Sequence, residues 1–295
     1  GFFLERFDAG TAPNVVPADA RATVAVRGLS AGGDPGEILR AALERFRATG
    51  AEVEIGYVLA GDRVHLRARG KAAHGARPWD GWNAATYLLG FLHDQLEMGA
   101  ADLGDLAGWL VERVGLELDG ASLGISLDDE EMGETSVNLG LVAIGAPGEP
   151  ESATLNIRWP VGRTVARTID LLAARVAEYG RAKGGRLDTR TAYAFDPILV
   201  DAGSPIVRSL LTTWRAVTGE DAGPRLIAGT TYAKAIAGAV SFGPNFEGSG
   251  LKIHGDDEHL PLDHLDRLIE LYTDALVRLT YPSAALGRSP SGADE

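Results

Sequence analysis

The sequence predicts an α/β chain in two parts, and three observations carry that prediction. Strand-like and helix-like stretches follow one another as β-α-β-β-α over residues 14–96, the order of a split βαβ, ferredoxin-like unit. A second series, β-β-α-β, runs from Ser136 to Ala194. Asp196-Pro197 then interrupts the pattern, and beyond it two helix-spaced segments flank Gly-containing loops. A chain of 295 residues can bury two cores, and 45% hydrophobic with 23% charged residues is an ordinary balance for a globular protein in water.

Each element has a local reason. Asn14 to Val26 places β-branched residues at alternate positions (Val16, Thr23, Val24, Val26) and predicts a strand. Asp34-Pro35 is an N-cap followed by proline at the first helical position. Ile38, Leu39, Ala42, Leu43 and Phe46 then recur at helical spacing, and Gly50 ends the run. Glu52 to Leu59 and Arg63 to Arg69 are strands joined at Gly61-Asp62, a hairpin signal. Asp80 to Leu96 predicts a second helix, and Met98 to Glu134 an irregular stretch ending in a solvated acidic run, Asp128 to Glu131. Ser136 to Ile144, Ala153 to Trp159 and Arg186 to Ala194 predict strands, with a helix from Thr164 to Tyr179 between the last two. The second part offers helices at Pro205 to Thr218 and Leu262 to Leu279, a helix or turn from Tyr232, and a strand at Ala239 to Phe242. The expected division is 1–195, 196–284 and a flexible tail, 285–295.

Charge and composition exclude several functions. A net charge of −13 opposes nucleic acid and anionic membranes as partners. With no cysteine there is no disulfide, thiolate metal site or cysteine nucleophile, so any metal must rest on histidine and carboxylates. No apolar run approaches the roughly 20 residues that span a bilayer, and the expected compartment is the cytoplasm.

Four segments concentrate the residues that can do chemistry: Gly10 to Pro17 (GTAPNVVP), Gly70 to Pro78 (GKAAHGARP), Gly229 to Ala235 (GTTYAKA) and Lys252 to Glu258 (KIHGDDE). Taken by residue type, each has a plain reading. Asn14 between prolines is a turn residue, His74 a histidine in a Gly-rich turn, and Arg158 a strand-end arginine in a surface ion pair. Gly229-Thr230-Thr231 is a small-residue loop, and His254 a loop histidine among acids. The functional readings are also physical. A loop imidazole can donate to an oxyanion, a guanidinium can fork onto a carboxylate, and backbone N–H groups with hydroxyls can hold an anion before a helix. Imidazole suits zinc.

Together these segments resemble bacterial zinc dipeptidases of the peptidase V (carnosinase-like) kind, over nearly the whole chain. The resemblance implies a ferredoxin-like lid domain joined to the C-terminal part of a zinc-peptidase α/β catalytic domain. It implies His74 as the lid histidine of GKxAHGxxP, stabilising the oxyanion, with the match running on through Pro78 and Asn83. It implies Asn14 as the substrate-binding Asn of GGTAPNxVP. Arg158 and the Gly229, Thr230 and Thr231 loop would hold the substrate carboxylate. His254 would be a zinc ligand, as in H-x-x-[DN]-E. Trp159 stands where the family often has Tyr, and Thr230 replaces a glycine. The family takes its other ligands for two zinc ions, and its base, from segments preceding GTAPN, where this sequence has Gly1 to Asp8. The expectation is therefore a cytoplasmic dipeptidase, present as a fragment inactive alone, acting on small peptides with a free carboxylate. The expected partners are a small peptide substrate and the missing N-terminal half, with self-association expected if the chain is a non-catalytic module with an exposed sheet edge. The alternatives are a related N-acyl amino acid amidohydrolase, of the desuccinylase or deacetylase kind, and a non-catalytic remnant serving as a binding module.

Overall fold

Proline decides where the second strand begins. The computed structural model describes residues 1–29, 33–145, 150–227, 229–243, 246 and 259–281. In it β1 covers Phe2–Ala9 and β2 covers Asp19–Val26, so the strand expected from Asn14 starts five residues later. Pro13 and Pro17 have no N–H for a ladder, and residues 10–18 form a connecting loop instead. α1 (Pro35–Ala48) has Asp34 as N-cap, accepting from the Gly36 N–H, and buries Leu39, Ala42, Leu43 and Phe46. β3 (Glu54–Ala60) and β4 (Arg63–Arg69) form the expected hairpin. The helix expected over 80–96 is shorter and interrupted. Asn83 caps α2 (Ala84–Gly90), which runs into a π-helical turn at Phe91–Gln95. The stretch after Met98 is more regular than its sequence suggests, with α3 (Ala100–Leu103) and α4 (Asp105–Arg113). The acidic run forms a short hairpin, β5 (Asp128–Asp129) and β6 (Gly133–Glu134), with Glu130 and Glu131 exposed at its turn. β7 (Ser136–Ile144), β8 (Ser152–Arg158) and α5 (Val165–Lys183) follow.

The long strands make one six-stranded antiparallel sheet, ordered β3-β4-β2-β1-β7-β8. One face carries the apolar residues of each alternation: Phe7 and Ala9 on β1, Ala20, Ala22 and Val24 on β2, Val64, Leu66 and Ala68 on β4. These share a single core with α1, α2, α4 and α5, through Leu39, Leu88, Leu110 and Tyr179 among others. The opposite face of β4 presents Arg63, His65, Arg67 and Arg69 to solvent, as period-two alternation requires. No strand forms at 186–194. Leu187 packs against the core, Asp188 and Arg190 are exposed, and the segment finds no ladder partner among the described residues.

The contacts divide the chain into Gly1–Pro197 and Ile198–Glu295. In the second unit α6 (Pro205–Thr218) and α7 (Leu262–Thr280) pack through Leu268 and Leu271, together with Phe246, against Trp214, Val217 and Phe242. The Thr213 hydroxyl donates to Asp274 at 2.7 Å, and Arg278 also bonds this carboxylate. The Arg278 bond is the main reason that the Asp274 carboxyl is held below its ordinary pKa. Ala239 to Phe242 forms no strand; glycines at positive φ, Gly238 and Gly243, bracket it and turn the chain at both ends. The expected tail, 285–295, lies outside the described residues. Among the described residues no helix is long and apolar enough to cross a membrane.

Candidate functional site

Register places several connections at one end of the sheet. Ala9, the last residue of β1, pairs with Ala20 of β2 and Val142 of β7. Asp19, the first of β2, pairs with Arg69, the last of β4, and Arg158, the last of β8, pairs with Ser136, the first of β7. The loop 10–18, the loop after β4 and the end of β8 therefore leave the sheet on the same side.

The two loops are bonded to each other. Val16 N–H donates to the Ala73 carbonyl at 2.9 Å, and Gly75 N–H donates to the Asn14 carbonyl at 2.7 Å, making an isolated antiparallel bridge between Val15 and His74. A Cβ on Gly75 would lie 3.0 Å from Asn14 backbone atoms, so glycine permits this approach. The bridge thus pairs His74 with Val15, the residue after Asn14, and both Asn14 and His74 are exposed. Ala76 N–H donates to His74 Nδ1 at 3.2 Å. An acceptor at Nδ1 puts the proton of the neutral ring on Nε2, which makes that nitrogen a donor.

Behind the loops lies a buried amide pair. Asn83 caps α2, its Oδ1 accepting from Ala85 and Thr86 N–H, while its Nδ2 donates to the Leu139 carbonyl at 2.9 Å and to Asn138 Oδ1 at 3.3 Å. Asn138 Nδ2 in turn donates to the carbonyls of Pro13 (3.2 Å) and Val15 (3.0 Å). The sequence held a signal for Asn138: a polar amide within the apolar strand SVNLGLVAI needs a partner if buried, and Asn138 is 1% exposed.

Arg158 belongs to the same side of the sheet as Asn138. Val137 and Leu139 point into the core, so Ser136 and Asn138 face the other way with their partners Arg158 and Asn156. Arg158 Nε donates to Asn156 Oδ1 at 3.3 Å. Burial lowers the pKa of this guanidinium, with nearby Tyr193 acting in the opposite sense. The group stays protonated, and a partly desolvated guanidinium gains most from a carboxylate. Trp159 donates from its indole N–H to the Arg163 carbonyl at 3.1 Å, tying the turn after β8.

The other sequence-predicted residues lie in the second unit. Gly229 and Thr230 are exposed, and the Thr231 hydroxyl shares a 2.7 Å hydrogen bond with Ser241. The segment that follows is a 3-10 turn, Tyr232–Ala235, too short to supply the helix N-terminus expected for an anion. Thr230 fits the loop without strain, because among the described non-glycine residues only Glu97 has positive φ. His254 lies outside the described residues. Among the described residues no three His, Asp or Glu side chains are grouped to hold a metal ion.

No family model matches the chain. It is 28% identical over 279 residues to the Beta-Ala-Xaa dipeptidase of Lactobacillus delbrueckii subsp. lactis, covering 95% of this chain and 56% of that protein. Proteins provisionally named dipeptidases from Staphylococcus saprophyticus and Staphylococcus haemolyticus are each 27% identical over 94% of this chain and 55% of their own length. The chain is thus similar to dipeptidases over 94–95% of its length, while spanning about half the length of the curated relatives that it matches.

Proposed function

We propose that this chain is the substrate-covering and carboxylate-binding part of a dipeptidase. The observation that carries the reading is the hydrogen-bonded pairing of the Asn14 loop with the His74 loop, at the end of the sheet where Arg158 also emerges. On this reading the unit Gly1–Pro197 is a lid, with β2, α1, β3, β4 and α2 as its ferredoxin-like half; β4 lies between β2 and β3 in the sheet. The unit from Ile198 is the C-terminal part of the catalytic domain.

The chemistry assigned to the described residues is binding and charge stabilisation. Arg158 forks onto the free carboxylate of the peptide. Asn14 bonds the substrate beside the scissile amide. As the carbonyl carbon becomes tetrahedral, its oxygen gains negative charge, and His74 Nε2–H donates to it. Such a donor acts on charge present in the transition state and absent from the substrate, so it lowers the barrier more than it tightens binding. Zinc remains an implication of the resemblance, carried in this sequence by His254; the described residues do not fit a metal centre, and their part is to hold the peptide.

The test is hydrolysis by the full-length protein of dipeptides, the same dipeptides with amidated C-termini, and N-acyl amino acids. The expected result is cleavage of free dipeptides and poor cleavage of the amides, which cannot neutralise Arg158. Preferential cleavage of N-acyl amino acids would replace the dipeptidase reading with the amidohydrolase one.

A further inference from the structure

We infer that Asn138 is a positioning residue for the proposed reaction: its buried amide sets Asn14 and, through it, His74. The inference rests on the dipeptidase reading for its activity readout and on geometry for its substance. Asn138 uses both N–H bonds of its amide on the carbonyls of Pro13 and Val15, the residues on either side of Asn14. One planar group thus holds the 13–14 and 15–16 peptide units, one on each side of the Asn14–Val15 peptide. Its Oδ1 accepts from Asn83, whose remaining capacity is taken by Leu139 O and the first turn of α2. Asn83 also follows Trp82, which exchanges two backbone bonds with Lys71 at the start of the His74 loop (2.9 and 3.0 Å). The 10–18 loop passes the registration on, since Val16 and Asn14 make the two bonds that bracket His74. Apart from the Trp82–Asn83 chain link, every link is a hydrogen bond, and the two amides at its root are 9% and 1% exposed. Water has little access to replace a lost bond, so the loops should shift when the amide is changed.

Asn138 touches no substrate in this scheme. It acts by holding the two loops that do, and a displacement of about 1 Å at a reacting group can cost on the order of 100-fold in rate. Aspartate is the sharpest substitution: it keeps the shape and replaces both donors by an oxygen facing two carbonyls. Alanine removes the group, and serine keeps one donor at reduced reach.

The experiment compares full-length wild type with Asn138→Ala, Asn138→Asp and Asn138→Ser in dipeptide turnover and in hydrogen exchange at the Val16 and Gly75 amides. The expected result is a kcat lower by about 100-fold in the alanine and aspartate variants, with a smaller loss for serine. Val16 and Gly75 should exchange faster, while amides at the centre of β2 and β4 keep wild-type protection. Adding Asn138→Ala to an Asn14→Ala, His74→Ala double variant should lower kcat little further, because the latch acts through the two residues already removed. If alanine or aspartate prevents folding, the serine variant decides by the same exchange readout. Unchanged exchange at Val16 and Gly75, or unchanged kcat with faster exchange, overturns the inference. Absence of dipeptide cleavage by wild type overturns the proposed function instead, and leaves the exchange data to judge the latch.

Discussion

Replacing His74 with alanine in the full-length protein is expected to lower kcat for a dipeptide by about 100- to 1,000-fold, the usual loss for one oxyanion donor. KM should change far less, because the donor meets its charge only as the reaction proceeds. The structure gives this prediction its atom. Ala76 N–H donates to His74 Nδ1, so the neutral ring carries its proton on Nε2, the donor that the proposed role requires. The ring also sits in a turn whose backbone is bonded to the Asn14 segment on both sides of His74. A structural role predicts a different pattern. His74 is exposed, so trimming it would cost little stability and leave turnover intact. Steady-state kinetics of the folded variant separates the two, and a kcat within about 3-fold of wild type would remove His74 from the chemistry.

The second large effect concerns the place where β1 hands the chain to the loop that carries Asn14. Gly10 has φ +84°, and a Cβ there would lie 1.8 Å from the Gly140 carbonyl oxygen on β7. Gly140 meets the same loop from the other side, where its own Cβ would fall 2.2 Å from the Pro13 carbonyl oxygen. Neither obstacle is a flexible side-chain tip; both are backbone, and backbone must move for a methyl group to enter. Gly10→Ala is therefore expected to destabilise the sheet by about 3 kcal/mol, combining left-handed strain with overpacking. The measurement is urea unfolding followed by far-ultraviolet circular dichroism. Gly56→Ala on β3 is the control, since nothing lies within 4 Å of a Cβ there. Equal midpoints for the two variants would contradict the close approach of these backbones.

Much of the fold could be read from alternation and from caps. β4 needed no tertiary information, because Arg63, His65, Arg67 and Arg69 alternate with Val64, Leu66 and Ala68. α6 was legible to its ends, with Ser204 capping before Pro205 and Gly219 closing it. Segments failed where a partner decides. Residues 186–194 contain strand-forming types, yet a strand exists only as a member of a ladder, and none is offered to it among the described residues. The helix expected from Asp80 begins at Ala84 because Asn83 spends its side chain on capping α2 and bonding β7. Periodicity alone could not place that boundary.

The site was legible as residue types and opaque as an arrangement. Asn14, His74 and Arg158 stood out in the sequence by motif, but nothing in their spacing showed that the loops carrying the first two are bridged, Val15 to His74. That contact depends on strand order, since β2 must pair with both β1 and β4 to bring the two loops to one end. Asn138 was missed for a related reason. Its importance comes from burial against two carbonyls far away in sequence, and an amide inside an apolar strand was the only trace that this left.

The most direct test of the account is a double-mutant cycle on kcat/KM for a dipeptide, with Asn14→Ala and His74→Ala singly and together in the full-length protein. If the bridge between the two loops makes one site, the paired loss will be smaller than the product of the single losses, because both side chains act on the same peptide bond. Losses that multiply would mean that Asn14 and His74 work independently, and that their pairing in the fold is not what the chemistry uses.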